Sequence, residues 1–161
     1  MSMKLPVVSS LVALSLVGFA GCADRPFVRA DAPAASEGVI VALVGQKCGR
    51  EAWYDNYDVL DLDMVVRITN TSQVPVEVLP AQMRLLARGN SPTPRASRPK
   101  WEDAPVALAP NSTRDVSVHF QRWGNAKCNQ EMQLSVDRAM EMSGRNLAVR
   151  PLSFVAAPSD V

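Results

Sequence analysis

Histidine is almost missing from this 161-residue chain, which carries one, at position 119. A Ser/His triad built on His119 would stand without a second histidine, and no GxSxG-type elbow accompanies it. Net charge is missing too: 17 Lys and Arg face 16 Asp and Glu. That balance argues against nucleic acid, or a strongly anionic lipid surface, as the main partner. Aromatic residues are sparse at 6%, so any place where they gather stands out. Cysteine is scarce and odd in number, with three residues at 22, 48 and 128. Long apolar runs are limited to one, at the start of the chain.

That run reads "MSMKLPVVSSLVALSLVGFAGC". A single positive charge, Lys4, precedes an apolar stretch from Leu5 to Ala20, and small residues close it, which is the layout of an export signal. Its length of about 16 residues falls short of the roughly 20 that a spanning helix needs, and Pro6, Ser9 and Ser10 weaken it further as a permanent span. The four residues Phe19-Ala20-Gly21-Cys22 resemble a bacterial lipobox. The resemblance implies cleavage before Cys22 and attachment of diacylglycerol and an N-acyl chain to that cysteine. Ala23, a residue other than Asp after the cysteine, fits the family's pattern for outer-membrane sorting. A cut after Ala20, with small Gly18 just upstream, is the alternative and would release a soluble periplasmic or secreted protein. Lipidation of Cys22 also settles the odd thiol, because it leaves Cys48 and Cys128 as the mature pair, expected to form a disulfide.

The chain therefore divides into a signal over 1–21, a tether over 22–38 and a folded domain over 39–157. The tether assignment rests on "ADRPFVRADAPAASEG", which mixes two prolines, alanines and charges without a period that a core could use. From Val39 the pattern changes to period two. "VIVALV" (39–44) is an apolar strand candidate. In "VLDLDMVVRIT" (59–69), Leu60, Leu62, Met64, Val66 and Ile68 alternate with Asp61, Asp63, Arg67 and Thr69, as in an antiparallel sheet with one face buried and one wet. "NTSQ" (70–73) reads as a turn whose side chains bond nearby backbone, and the N-x-S/T triplets at Asn70 and Asn111 are both read as turns.

Further strands are expected at "VPVEVLP" (74–80), "QMRLLAR" (82–88), "PVALAP" (105–110), "DVSVHFQ" (115–121), "MQLSVD" (132–137) and "LAVRPLSFV" (147–155). Pro75 suggests that its strand lies at an edge or begins irregularly. Leu147 and Val149 are out of phase with Leu152 and Phe154, as if a bulge sat at Pro151. Seven or eight short strands of this kind predict an all-β fold, a single antiparallel two-sheet sandwich. "VRITNTSQVPVEV" and "VALAPNSTRDVSVHF" are similar to strand-turn-strand phrases of bacterial immunoglobulin-like domains on envelope lipoproteins, departing at Asn111, where a glycine often follows the proline. That resemblance implies a fold and no activity. A transthyretin-like or N0-like sandwich is the alternative.

Two segments are candidates for recognition. "CGREAWYDNYD" (48–58) gathers Trp53, Tyr54 and Tyr57, side chains that supply large contact area at low entropic cost; the competing reading is that Trp53 and one tyrosine fold back to plug the end of the sandwich. "RGNSPTPRASRPKWED" (88–103) carries Arg95, Arg98 and Lys100 among prolines, and could meet an acidic partner, phosphate-rich headgroups or peptidoglycan. Met140 and Met142, with His119, form a weaker soft-metal candidate, since thioethers favour Cu(I). Ordinary packing is the competing reading of those methionines, and an exposed bystander that of His119. The expectation is a non-catalytic envelope lipoprotein, held to the periplasmic face of the outer membrane by its lipid, without a cofactor, that binds within an envelope protein complex as an accessory or assembly module. A periplasmic copper chaperone is the alternative, and oligomeric state is left open.

Overall fold

The computed structural model describes residues 26–53, 57–87, 95–97, 104–123 and 127–158. Within them the chain forms thirteen strands: β1 (Arg29–Ala30), β2 (Ala34–Ser36), β3 (Val39–Trp53), β4 (Tyr57–Asn70), β5 (Val76–Val78), β6 (Arg84–Ala87), β7 (Arg95–Ser97), β8 (Val106–Leu108), β9 (Ser112–Trp123), β10 (Glu131–Ser135), β11 (Met140–Met142), β12 (Arg145–Asn146) and β13 (Leu152–Val155). The domain is all-β, and every strand ladder is antiparallel.

The alternation read from residues 59–69 is realised on β4. Leu60, Leu62, Met64, Val66 and Ile68 are all buried in the core, and Asp61, Asp63, Arg67 and Thr69 lie on the opposite, more accessible face. Burying one side of such a strand fixes its register, since a slip of one residue would carry five apolar side chains to the wet face. β4 is the centre of a four-stranded sheet, ordered β2-β3-β4-β9.

The two-sheet expectation needs correcting. The remaining strands form two further sheets, β1-β13-β10-β6-β7 and β12-β11-β5-β8. The reason lies in one shared interruption. Val78 pairs with Met140 and Arg84 with Ser135, so the chain on both sides belongs to the same pair of antiparallel segments. Between them, Pro80–Gln82 forms a 3-10 turn on one side, and Ala139 N–H donates to Val136 O at 2.9 Å in a turn on the other. Pro80 brings no N–H to the ladder. Leu79 N–H, donating to Ala139 O at 2.8 Å, spans the break. Apart from Val59, the buried apolar residues of all three sheets nevertheless join one core.

Smaller expectations also change. β5 starts directly after Pro75 but is paired on both sides, by β11 and β8, and is not an edge. The phase slip before β13 is absorbed by non-strand residues 147–151, with Leu147 and Val149 buried, and no bulge forms at Pro151. The stretch expected to act as a tether contains β1 and β2. β1 pairs with β13 through Arg29↔Val155, and β2 pairs with β3 through Ala34↔Val41. β1 pairs with a segment more than a hundred residues away, β2 closes a tight hairpin onto β3 through Glu37 and Gly38, and strands of two and three residues leave no period of their own to read.

The turns follow the expected chemistry. Asn70, fully buried, donates from Nδ2 to Val74 O at 2.8 Å and to Ala109 O at 3.2 Å, and its Oδ1 accepts from Ser72 N–H at 3.0 Å. Asn111 has φ 54°, a left-handed conformation that asparagine tolerates better than most residues, so it serves where glycine is common.

Candidate functional site

The end of the domain that carries the aromatic segment is built from a bulge. Register between β3 and β4 shifts from Leu43↔Val66 to Gly45↔Val65, leaving Val44 unpaired and exposed. An extra residue in a strand reverses which side chains face inward. Val39 and Val41 are buried before the bulge, and Gln46 and Cys48 after it. Without the shift Cys48 would share the outward face with Ile40 and Ala42. With it, Cys48 meets Cys128 in a disulfide with Cα atoms 5.8 Å apart, as the sequence led us to expect.

Both ends of the described chain converge on the same level. Gln46 Nε2 donates to Ala157 O at 3.2 Å and to Pro26 O at 3.5 Å. Cys48 and Pro158 form an isolated parallel bridge. The Phe27 and Phe154 rings meet edge to face with centroids 5.3 Å apart. Asp31 completes the clasp: its Oδ2 accepts from Ser153 N–H at 2.9 Å and from Arg150 at 3.2 Å. The Ser153 amide chiefly, with Arg150 beside it, holds the Asp31 carboxyl below its ordinary range.

Past this level β3, β4 and β9 continue as a three-stranded ladder, without another strand pairing among the described residues. The segment read from sequence as an aromatic loop is largely strand: β3 runs to Trp53, β4 starts at Tyr57, and these two are cross-strand partners. β9 reaches Trp123, which is level with Val59. Val59 shares the register parity of outward Asp61 and Asp63, yet it is fully buried and lies apart from the main core. Trp123 was missed by sequence reasoning because the β9 pattern was followed only to Gln121. Its signal was its phase, two residues beyond Gln121 on the parity of His119. Tyr54, Cys22, Arg98 and Lys100 lie outside the described residues. Arg95 opens β7, paired with Ala87 at the edge of the five-stranded sheet, so the backbone does not bring it to the Trp53–Tyr57 end by any strand pairing.

His119 is on the outward face, as its alternation implies, but it is mostly covered. Its Nδ1 lies 2.5 Å from Asp63 Oδ1 and its Nε2 2.9 Å from Asp61 Oδ1, with the side chain 14% exposed. Both ring nitrogens thus approach carboxylates. Farther along the same face Arg67 grips Asp115 through two bonds of 2.8 Å, which raises the guanidinium above its usual range. Met140 and Met142 share one face of β11, and both are buried in the core, so ordinary packing accounts for them. Among the described residues no group of three or more His, Cys, Asp or Glu side chains is arranged to hold a metal ion.

No family model matches the chain, and no curated protein matches it. Among solved structures, a crystal structure of a protein from Archaeoglobus fulgidus aligns with TM-score 0.34 and 11% identity, over 72% of this chain and 98% of that one. An overlap that weak carries neither a topology nor an activity across.

Proposed function

We propose that this protein is a lipid-anchored, non-catalytic accessory module of the bacterial envelope, attached through Cys22 to the periplasmic face of the outer membrane, whose working surface is the end formed by the β3–β4 hairpin and the last residues of β9. The observation that carries the reading is the overhang of that end. Among the described residues β3, β4 and β9 run on past the disulfide, and their last rungs bring Trp53, Tyr57 and Trp123 to one end of the sheet in a chain with few aromatics. Residue types of this kind supply large contact area at low ordering cost. The sequence phrases that resemble immunoglobulin-like envelope domains are consistent with a sandwich-like scaffold for this role, while the buried Met140 and Met142 give the copper reading no surface site.

Two measurements test it. Mass spectrometry of the N-terminal peptide should find Cys22 acylated, and Cys22→Ser should release the protein from membranes. A photo-crosslinking residue at Tyr57 should yield adducts with an envelope component in intact cells, while the same residue at exposed Asn146, on β12, should not. An unmodified, soluble wild-type protein would remove the anchor, and equal labelling at the two positions would remove the assignment of the working end.

A further inference from the structure

We infer that the partner of this domain is a protein seated in the membrane that holds the anchor, and not peptidoglycan or a freely soluble component, an inference that rests on acylation of Cys22. A free tether from Cys22 to a domain starting at Val39 would reach about 55 Å, at roughly 3.3 Å for each extended residue. The fold takes most of that length back. Phe27 packs its ring against Phe154 with centroids 5.3 Å apart, and Val28 N–H donates to Val155 O at 2.9 Å. Arg29 and Ala30 pair with β13, and Asp31 N–H donates to Ser153 O at 2.8 Å. Arg150 donates to Ala32 O at 3.0 Å, and Ala34, 1% exposed, opens the pairing of β2 with β3. Because β1 and β2 are edge strands of different sheets, lengthening the leash would strip a strand from each of two sheets. What is left runs from Cys22 to Phe27, and that stretch reaches at most about 18 Å even when fully extended.

A domain of about 130 residues has a radius of gyration near 14 Å, so it is wider than this leash is long. It therefore stays against the surface in which its lipid is fixed, whichever way it turns. A protein seated in the same membrane meets such a domain at a high effective concentration, which a longer tether would dilute. Lipid itself is a poorer match. The chain is near neutral, and among the described residues the exposed large apolar side chains are Val28, Val44 and Val74, which stand on three separate segments. Apolar residues scattered singly are ordinary on a protein surface and make no patch for insertion.

The test uses the full acylated protein in intact cells. A photo-crosslinking residue is placed singly at Tyr57, at Lys47 or at Asn129, the last two exposed, so that the outcome does not depend on the hairpin end alone. Twenty Gly/Ser residues inserted between Ala23 and Asp24, outside the residues bound into the sheets, lengthen the leash about fivefold. Adducts should form with a protein that fractionates with the membrane. The insertion should slow their formation on the order of tenfold, since tethered encounter falls roughly as the −3/2 power of tether length. Four EAAAK repeats at the same place, a semi-rigid spacer of about 30 Å, should slow it as well. Rates unchanged by both insertions overturn the inference, as do adducts chiefly with peptidoglycan, lipid or a soluble protein, or no adduct at any of the three positions. A wild-type N-terminal peptide that lacks acyl chains by mass overturns instead the anchor on which the inference rests.

Discussion

The disulfide offers the most direct test of how the hairpin end is held. Cys48→Ala with Cys128→Ala opens a covalent loop whose ends are 80 residues apart. In the chain-entropy picture a loop of that length contributes about 4.5 kcal/mol, because the unfolded chain regains the freedom that the bridge denied it. Cys48 is fully buried and Cys128 is 5% exposed, so losing two packed sulfurs adds roughly another 1 kcal/mol. Denatured-state structure and local pairing work the other way. Cys48 also stays in register with Leu62, so the β3–β4 ladder remains without the bridge. A net loss of about 3–4 kcal/mol, near 10–15 °C in Tm for a domain of this size, is the expected outcome. Urea titration followed by circular dichroism, on oxidised wild type and on the double variant, measures it, and the variant should show the steeper transition, since its unfolded chain is more open. A loss below about 1 kcal/mol with an unchanged slope would refute the reasoning, because it would mean that the long loop is already closed in the unfolded chain.

Asn70→Ala should cost about 2–3 kcal/mol in the same titration, because it leaves the Val74 and Ala109 carbonyls short of a donor and Ser72 N–H short of an acceptor at a fully buried site; a cost under about 0.5 kcal/mol would show that water replaces the side chain freely. Asp31 gives a pH signature. Its carboxyl is held below its ordinary range in the folded state, so its contribution is present above the unfolded value of about 4 and is lost as pH falls through the folded value. Asp31→Asn should therefore cost less than about 1 kcal/mol at neutral pH, as befits a partly exposed group, and the gap from wild type should close toward pH 2–3. A gap that stays constant across that range would assign the loss to packing and not to charge.

Much of the central sheet was legible because its signal is local. Alternation on β4, the asparagine turn after it and the phase of β9 are each written within a dozen residues, and burial of one face is enough to enforce them. The disulfide pair followed from counting, once the lipobox resemblance had set Cys22 aside. The bulge at Val44 was not legible. An apolar run such as "VIVALV" reads the same with or without an extra residue, and only the pairing with β4 decides where the slip falls. Similarly, "CGREAWYDNYD" looked like a loop because its composition is mixed, whereas residues 48–53 and 57–58 are held as strand by their cross-strand pairing.

What the sequence by itself determined was the class of structure and the places where the chain turns, since strand period, turn chemistry and proline placement are properties of neighbouring residues. Tertiary pairing decided the rest: that Arg29 and Ala30 pair with β13 and are not tether, that one interruption at Pro80 and Ala139 makes three sheets, and that Gln46 ties Pro26 to Ala157. Each of these depends on contacts between residues far apart in the chain, such as Arg29 with Val155 and Gln46 with Ala157. No local pattern encodes a partner more than a hundred residues away.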